Sequence, residues 1–159
     1  MSPHYGGIYI EALDAHGGWI ASAEDLVRFV TAVDGQRGPA LLAPATVQAM
    51  LDTPLPPPAE GGSAGAGNAQ PTSGLCWVVR PEDGGVSWSH AGALENMCAS
   101  WLIRTPDGLA LAFVTNTLPP LSDIGAFFPE VGTALLGAAR QELGLPTPPS
   151  PAPAQVPHS

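Results

Sequence analysis

The chain has 159 residues, a formal net charge of −9 and only five basic side chains, all of them arginine. That length supports one domain with a modest core, and the sparse positive charge argues against nucleic acid or an anionic membrane surface as partner, since both need clustered Lys or Arg. Nineteen Pro and nineteen Gly cluster without a period, which marks linkers and loops within an otherwise foldable chain.

The N-terminus, Met1-Ser2-Pro3-His4-Tyr5-Gly6-Gly7, has neither a basic start nor an apolar run of signal-peptide length. No stretch approaches the roughly 18 apolar residues of a membrane span. As written, the chain reads as soluble and cytoplasmic. The first helix opens at Ser22-Ala23-Glu24-Asp25, a hydroxyl cap with a carboxylate three residues on. Leu26, Phe29, Val30 and Val33 follow at helical spacing and put one apolar stripe on one face. Asp34-Gly35 stops it. A second, short helix starts at Ala43-Pro44, with proline where its missing N–H costs nothing. Its inner face is Val47, Met50 and Leu51.

Residues 53–73 hold Pro54, Pro56, Pro57 and Pro58 and then a Gly/Ala/Ser run. They read as a flexible, disordered loop. Four strands come next. Gly74–Arg80 is rich in β-formers, and Asp83-Gly84 turns the chain into Val86–His90. Cys98–Thr105 and Leu109–Asn116 flank the turn Pro106-Asp107-Gly108. A last helix carries Phe128, Val131, Leu135 and Leu136 inward and ends near Gly144. Residues 145–159 form a Pro/Ala tail expected to be disordered. The expected class is α+β, an antiparallel meander of about four strands with helices packed on it.

Four tryptophans, Trp19, Trp77, Trp88 and Trp101, are expected to pack the core, with Trp88 and Trp101 alternatively edging a cleft or an exposed face. Cys76 and Cys98, each in an apolar strand context, read as buried free thiols rather than a disulfide. Arg104 and Arg140 fit solvated strand or helix ends better than a carboxylate-binding role. Ser22 reads as a helix cap before it reads as a nucleophile near His16. A Ser-His-Asp set from Asp14, His16 and Ser22 or Ser89 rests only on common residue types without geometry, and a zinc site from His4, His16 and His90 has no spacing behind it; no metal and no cofactor are expected.

Several segments in order resemble one family. His16-Gly17-Gly18-Trp19-Ile20-Ala21-Ser22 through Asp25-Leu26-Val27-Arg28-Phe29 is similar to the "GG(L/W)xSxxxDLxRF" segment of serine β-lactamase-related hydrolases, a group with class C-like β-lactamases, penicillin-binding proteins and esterases. Leu41-Leu42-Ala43-Pro44-Ala45-Thr46 is similar to its "LLSPAT" helix start, and Gly74-Leu75-Cys76-Trp77 to its "YGLGW" strand, with Ser73 and Cys76 in place of the Tyr and the second Gly. Trp88-Ser89-His90-Ala91-Gly92 resembles the strand with the third active-site motif, and Phe113-Val114-Thr115-Asn116-Thr117 the "VLTN" strand end. The resemblance covers roughly residues 5 to 140 and implies a partial domain, 1–144, equivalent to the C-terminal part of the β-lactamase/transpeptidase-like fold.

The resemblance also implies roles. His90 would be the first residue of the Lys/His-(Thr/Ser/Ala)-Gly motif that lines the cleft. Ala91 and Gly92 would be its small, substrate-approaching positions, and Ala93 the oxyanion N–H donor. The family nucleophile is the serine of Ser-x-x-Lys, whose lysine helps deprotonate it. This chain has no lysine, and neither Tyr5 nor Tyr9 begins a Tyr-x-Asn or Tyr-x-Ser motif. The expectation is therefore a C-terminal portion of a serine hydrolase, inactive alone. If completed by a missing N-terminal half or a homo-oligomer partner, it would take a small ester, amide or β-lactam-like substrate. The alternative is a non-catalytic binding module on the same scaffold.

Overall fold

The computed structural model describes residue 6 and residues 8–52, 72–94, 97–117 and 124–146. The expected loop at 53–73 and tail at 145–159 therefore lie outside the described residues, apart from Thr72, Ser73, Leu145 and Pro146. A short 3-10 helix, Ile10–His16, opens the described chain and has no counterpart in the sequence reading.

Helix α1, Ala23–Asp34, is built as its sequence dictates. The Ser22 hydroxyl accepts the Asp25 N–H while the Asp25 carboxylate accepts the Ser22 N–H, closing a reciprocal cap. Gly35 ends the helix in the left-handed conformation, φ 67°, which costs a glycine nothing. Val30 and Val33 are buried, but Phe29 remains half exposed at the edge of the stripe. Helix α2, Pro44–Asp52, begins at the expected proline and half-buries Val47, Met50 and Leu51.

One antiparallel sheet follows in the order β1-β2-β3-β4-β5. The strands are β1, Thr72–Ser73; β2, Val78–Glu82; β3, Gly85–Leu94; β4, Cys98–Arg104; and β5, Ala110–Thr115. The four expected strands are present. The sheet gains the two-residue β1, which pairs Thr72 with Val79 and Ser73 with Val78, where the sequence reads as loop. Conversely, Gly74–Trp77 is a bend rather than the start of a strand. Strand β3 also runs four residues further than expected, so the His90-Ala91-Gly92-Ala93 segment lies within it.

The pleat sorts side chains into two layers. On one face Val79, Trp88 and Leu102 join Val30 and Val33 of α1 and the buried Trp77 in a single cluster, flanked by Met50 and Leu51 of α2. On the other face lies α3, Ile124–Leu143. Phe113 meets the rings of Phe127 and Phe128 at centroid distances of 6.1 and 6.2 Å. Gly132 sits so close to the Trp101 indole that a Cβ there would fall 2.9 Å from its ring, which explains a glycine in mid-helix. The sheet is thus a middle layer, with Trp77 and Trp88 in the core and Trp101 against α3. Trp19 breaks the expectation: it is 80% exposed.

Two arginines expected at solvated ends are buried. Arg104 and Asp34 pair through Nε and a carboxylate oxygen, with 3% and 5% of their side chains exposed. Arg104 also donates to Gln36 Oε1 and to its neighbour's carbonyl, Thr105 O, so its donors are satisfied within the fold. Arg140 donates to Asp107 at 2.5 Å and to the Pro146 carbonyl at 3.1 Å, tying the first residues after α3 where the sequence suggested an unpacked tail. The Arg140 and Thr105 hydrogen bonds hold the Asp107 carboxyl down from 3.8 to about 2. A depressed folded value means this pair stabilises the fold above pH 3.8, and that contribution is lost as pH falls toward about 2. Because the Asp107 side chain is 38% exposed, solvent screens the effect and it is modest. Urea midpoints measured across that acid range should fall for the unaltered chain and fall less steeply for Arg140→Gln.

Candidate active-site strand

Strand β3 is paired along its whole length on one side, from Trp88 opposite Arg104 to Leu94 opposite Cys98. On the other side its pairing with β2 ends at Ser89 opposite Val78. Residues 90–94 therefore have one edge that no described strand covers. The hairpin sets which groups face that edge. Asp83-Gly84 is a two-residue turn closed by the Glu82–Gly85 pair, and Pro81, which has no N–H, sits in the adjoining non-hydrogen-bonded pair with Val86. Alternation then points the N–H groups of Gly85, Ser87 and Ser89 toward β2, and those of Ala91 and Ala93 out of the same edge beyond it. The N–H groups of His90 and Gly92 face β4.

The side chains alternate too. Trp88, His90 and Gly92 share the face that carries the α1 cluster; Ser89, Ala91 and Ala93 share the other. His90 is exposed at its end of the apolar cluster. Its Nδ1 lies 2.8 Å from the Cys76 carbonyl. A carbonyl only accepts, so Nδ1 carries the proton. The ring stands edge-on to Trp77, at 6.4 Å and 88°, and Trp77 in turn stands edge-on to Trp88 at 4.5 Å. Gly92 lies opposite Ser100, and a Cβ at Gly92 would come within 3.3 Å of the Ser100 hydroxyl. Ala91 and Ala93 are both exposed, so a small molecule reaches the free edge without meeting a large side chain from the strand itself.

Cys76 is the residue the sequence reading misjudged. It is an exposed free thiol, not a buried one, and its φ of 68° puts it in the left-handed region. Its sequence signal was its place in a segment where the resembling pattern has glycine. Cys98, by contrast, is half-buried and free. The remaining candidates do not assemble. Ser22 is engaged in the α1 cap, its hydroxyl also donating to Asp25 at 2.6 Å, and among the described residues no hydrogen bond links Asp14, His16, Ser22 and Ser89. His4 lies outside the described residues, and among those described no group of three or more His, Cys, Asp or Glu gathers as metal ligands would. An open depression of about 450 Å³ lies on the outer face of α3 between Pro129, Glu130, Thr133 and Ala134; no β3 residue lines it.

The His-Ala-Gly segment lies on a strand, which is where the serine β-lactamase-related resemblance puts its third motif. A family model, Beta-lactamase, matches residues 2–128. The chain belongs to the β-lactamase family. Comparisons with curated proteins and with solved structures give no match. Membership places the chain among the β-lactamase-related serine hydrolases, and the α+β architecture is consistent with the β-lactamase-like fold. In this family member no helix among the described residues is long and apolar enough to cross a membrane.

Proposed function

We propose that this β-lactamase-family chain is the C-terminal portion of a serine hydrolase and supplies one wall of an acyl-transfer site without a nucleophile of its own. The feature that carries the reading is the N–H of Ala93, which the register points out of the β3 edge that no described strand covers, next to Gly92. In acyl transfer, a serine hydroxyl attacks an ester, amide or β-lactam carbonyl, the leaving group departs, and water then hydrolyses the acyl-serine. The carbonyl oxygen gains negative charge at each attack. Ala93 N–H donates to it there, a contact worth on the order of 3 kcal/mol at the transition state. Gly92 lets the substrate approach the backbone, and Ala91 keeps the edge clear. His90 meets the hydroxyls or the substrate at the cleft wall.

The same residues include no lysine, so the base that would activate a Ser-x-x-Lys serine must come from chain or partner beyond these 159 residues. A second reading, a binding module that uses the scaffold without turnover, is favoured by the exposure of Tyr9 (72%), Trp19 (80%) and Ile20 (101%) before α1. Both readings expect the purified chain to leave nitrocefin and p-nitrophenyl esters unhydrolysed. Turnover that survives purification controls and disappears in a folded His90→Ala variant would overturn the incomplete-site reading. Size-exclusion chromatography with light scattering tests the apolar surface that the second reading needs. Self-association or dye binding supports an apolar docking surface, whereas a clean, non-dyeing monomer counts against it.

A further inference from the structure

The His90 imidazole is tethered on one side only. Nδ1–H is held by the Cys76 carbonyl, Trp77 stands edge-on to the ring, and Nε2 has no partner among the described residues. The carbonyl is where it is because Cys76 adopts a left-handed φ of 68°, a conformation that a residue with a Cβ adopts only at a cost. We infer that Cys76 is a positioning residue for His90: its carbonyl locks the neutral imidazole in the Nδ1–H tautomer, so that Nε2 offers a lone pair and takes a hydroxyl donor rather than a carboxylate.

The chemistry follows from the donor inventory. A lysine at the head of this motif has three donors and no acceptor, and suits a carboxylate. A neutral histidine whose Nδ1–H is already committed has one free nitrogen, and that nitrogen accepts. While the ring is neutral, a carboxylate brings it only acceptors, whereas a hydroxyl brings the proton that Nε2 lacks. The group that the neutral ring takes at Nε2 is therefore a hydroxyl, whether it belongs to a substrate or to an attacking serine. The ligand half rests on the proposal that the β3 edge is the site wall; the tautomer does not.

Two-bond proton–nitrogen correlation spectra of the ¹⁵N-labelled full chain, at a pH where the imidazole is neutral, read the tautomer directly. The His90 signals are assigned by their loss in His90→Gln. The expected pattern has a protonated Nδ1 and an unprotonated Nε2. Cys76→Gly retains the left-handed carbonyl and should keep that pattern. Cys76→Val, whose branched Cβ disfavours that φ, should move the ratio toward Nε2–H by roughly tenfold, the worth of one net hydrogen bond. An Nε2–H tautomer in the unaltered chain overturns the inference, and so does an unchanged ratio in a folded Cys76→Val. If Cys76→Val does not fold, the unaltered chain and Cys76→Gly decide. For the ligand half, at the same pH where the imidazole is neutral, methyl lactate should shift the Nε2 resonance and propionate should not; a shift with propionate, or with neither, overturns it. Hydrolysis assays test the acyl-transfer reading separately, so the two can fail independently.

Discussion

Replacing Arg104 with alanine should destabilise the fold by about 3–5 kcal/mol, the cost of leaving a buried charge without its partner. The Asp34 carboxylate, 5% exposed, would keep its place at the end of α1 with no cation beside it. Gln36 Oε1 and the Thr105 carbonyl would lose their donor as well. A small domain has a total stability of roughly 5–15 kcal/mol, so this one change should leave little of the urea transition. The informative control replaces both partners: Arg104→Met with Asp34→Leu removes both charges and should recover most of the loss, because a buried ion pair is worth little against well-packed apolar groups. If Arg104→Ala unfolds at the same urea concentration as the unaltered chain, the pair is not buried as described.

Trp88→Ala should cost about 3–5 kcal/mol by the same urea measurement, the usual range for emptying a large aromatic from a core. Trp88 is 5% exposed and stands edge-on to Trp77, with centroids 4.5 Å apart. Its loss opens a void in the cluster between the sheet and α1, beside the Trp77 ring that flanks His90. Trp88→Phe, which refills most of that void, should lose distinctly less. Equal losses for the two variants would show that aromatic volume at this position contributes little.

Local chemistry was legible in the sequence. The Ser22–Asp25 cap, Gly35, Pro44, and the Asp83-Gly84 and Pro106-Asp107-Gly108 turns all act within a few residues of themselves, and each lies where its pattern put it. The two arginine networks were not legible. Arg104 and Asp34 are 70 residues apart, and Arg140 and Asp107 are 33 apart; nothing local distinguishes a buried arginine from a solvated one at a strand end. Trp19 and Cys76 failed for the opposite reason. Apolar composition predicts burial, but burial needs a neighbouring element, and the segment before α1 and the bend before β2 leave those side chains uncovered. At the site, family resemblance singled out His90, Ala91, Gly92 and Ala93. The free edge they occupy depends on where the β2 register stops, a relation between strands that no pattern within one strand encodes.

The order β1-β2-β3-β4-β5 has a kinetic consequence. Every described strand pairs with its neighbour in sequence, so these five strands assemble by successive short loop closures with no crossover among them. Contacts of this kind favour rapid formation. The slow closure is the one between α1 and the β4–β5 hairpin, sealed by Arg104 and Asp34. Bringing that helix to the sheet should therefore be the step with the largest loop-closure cost.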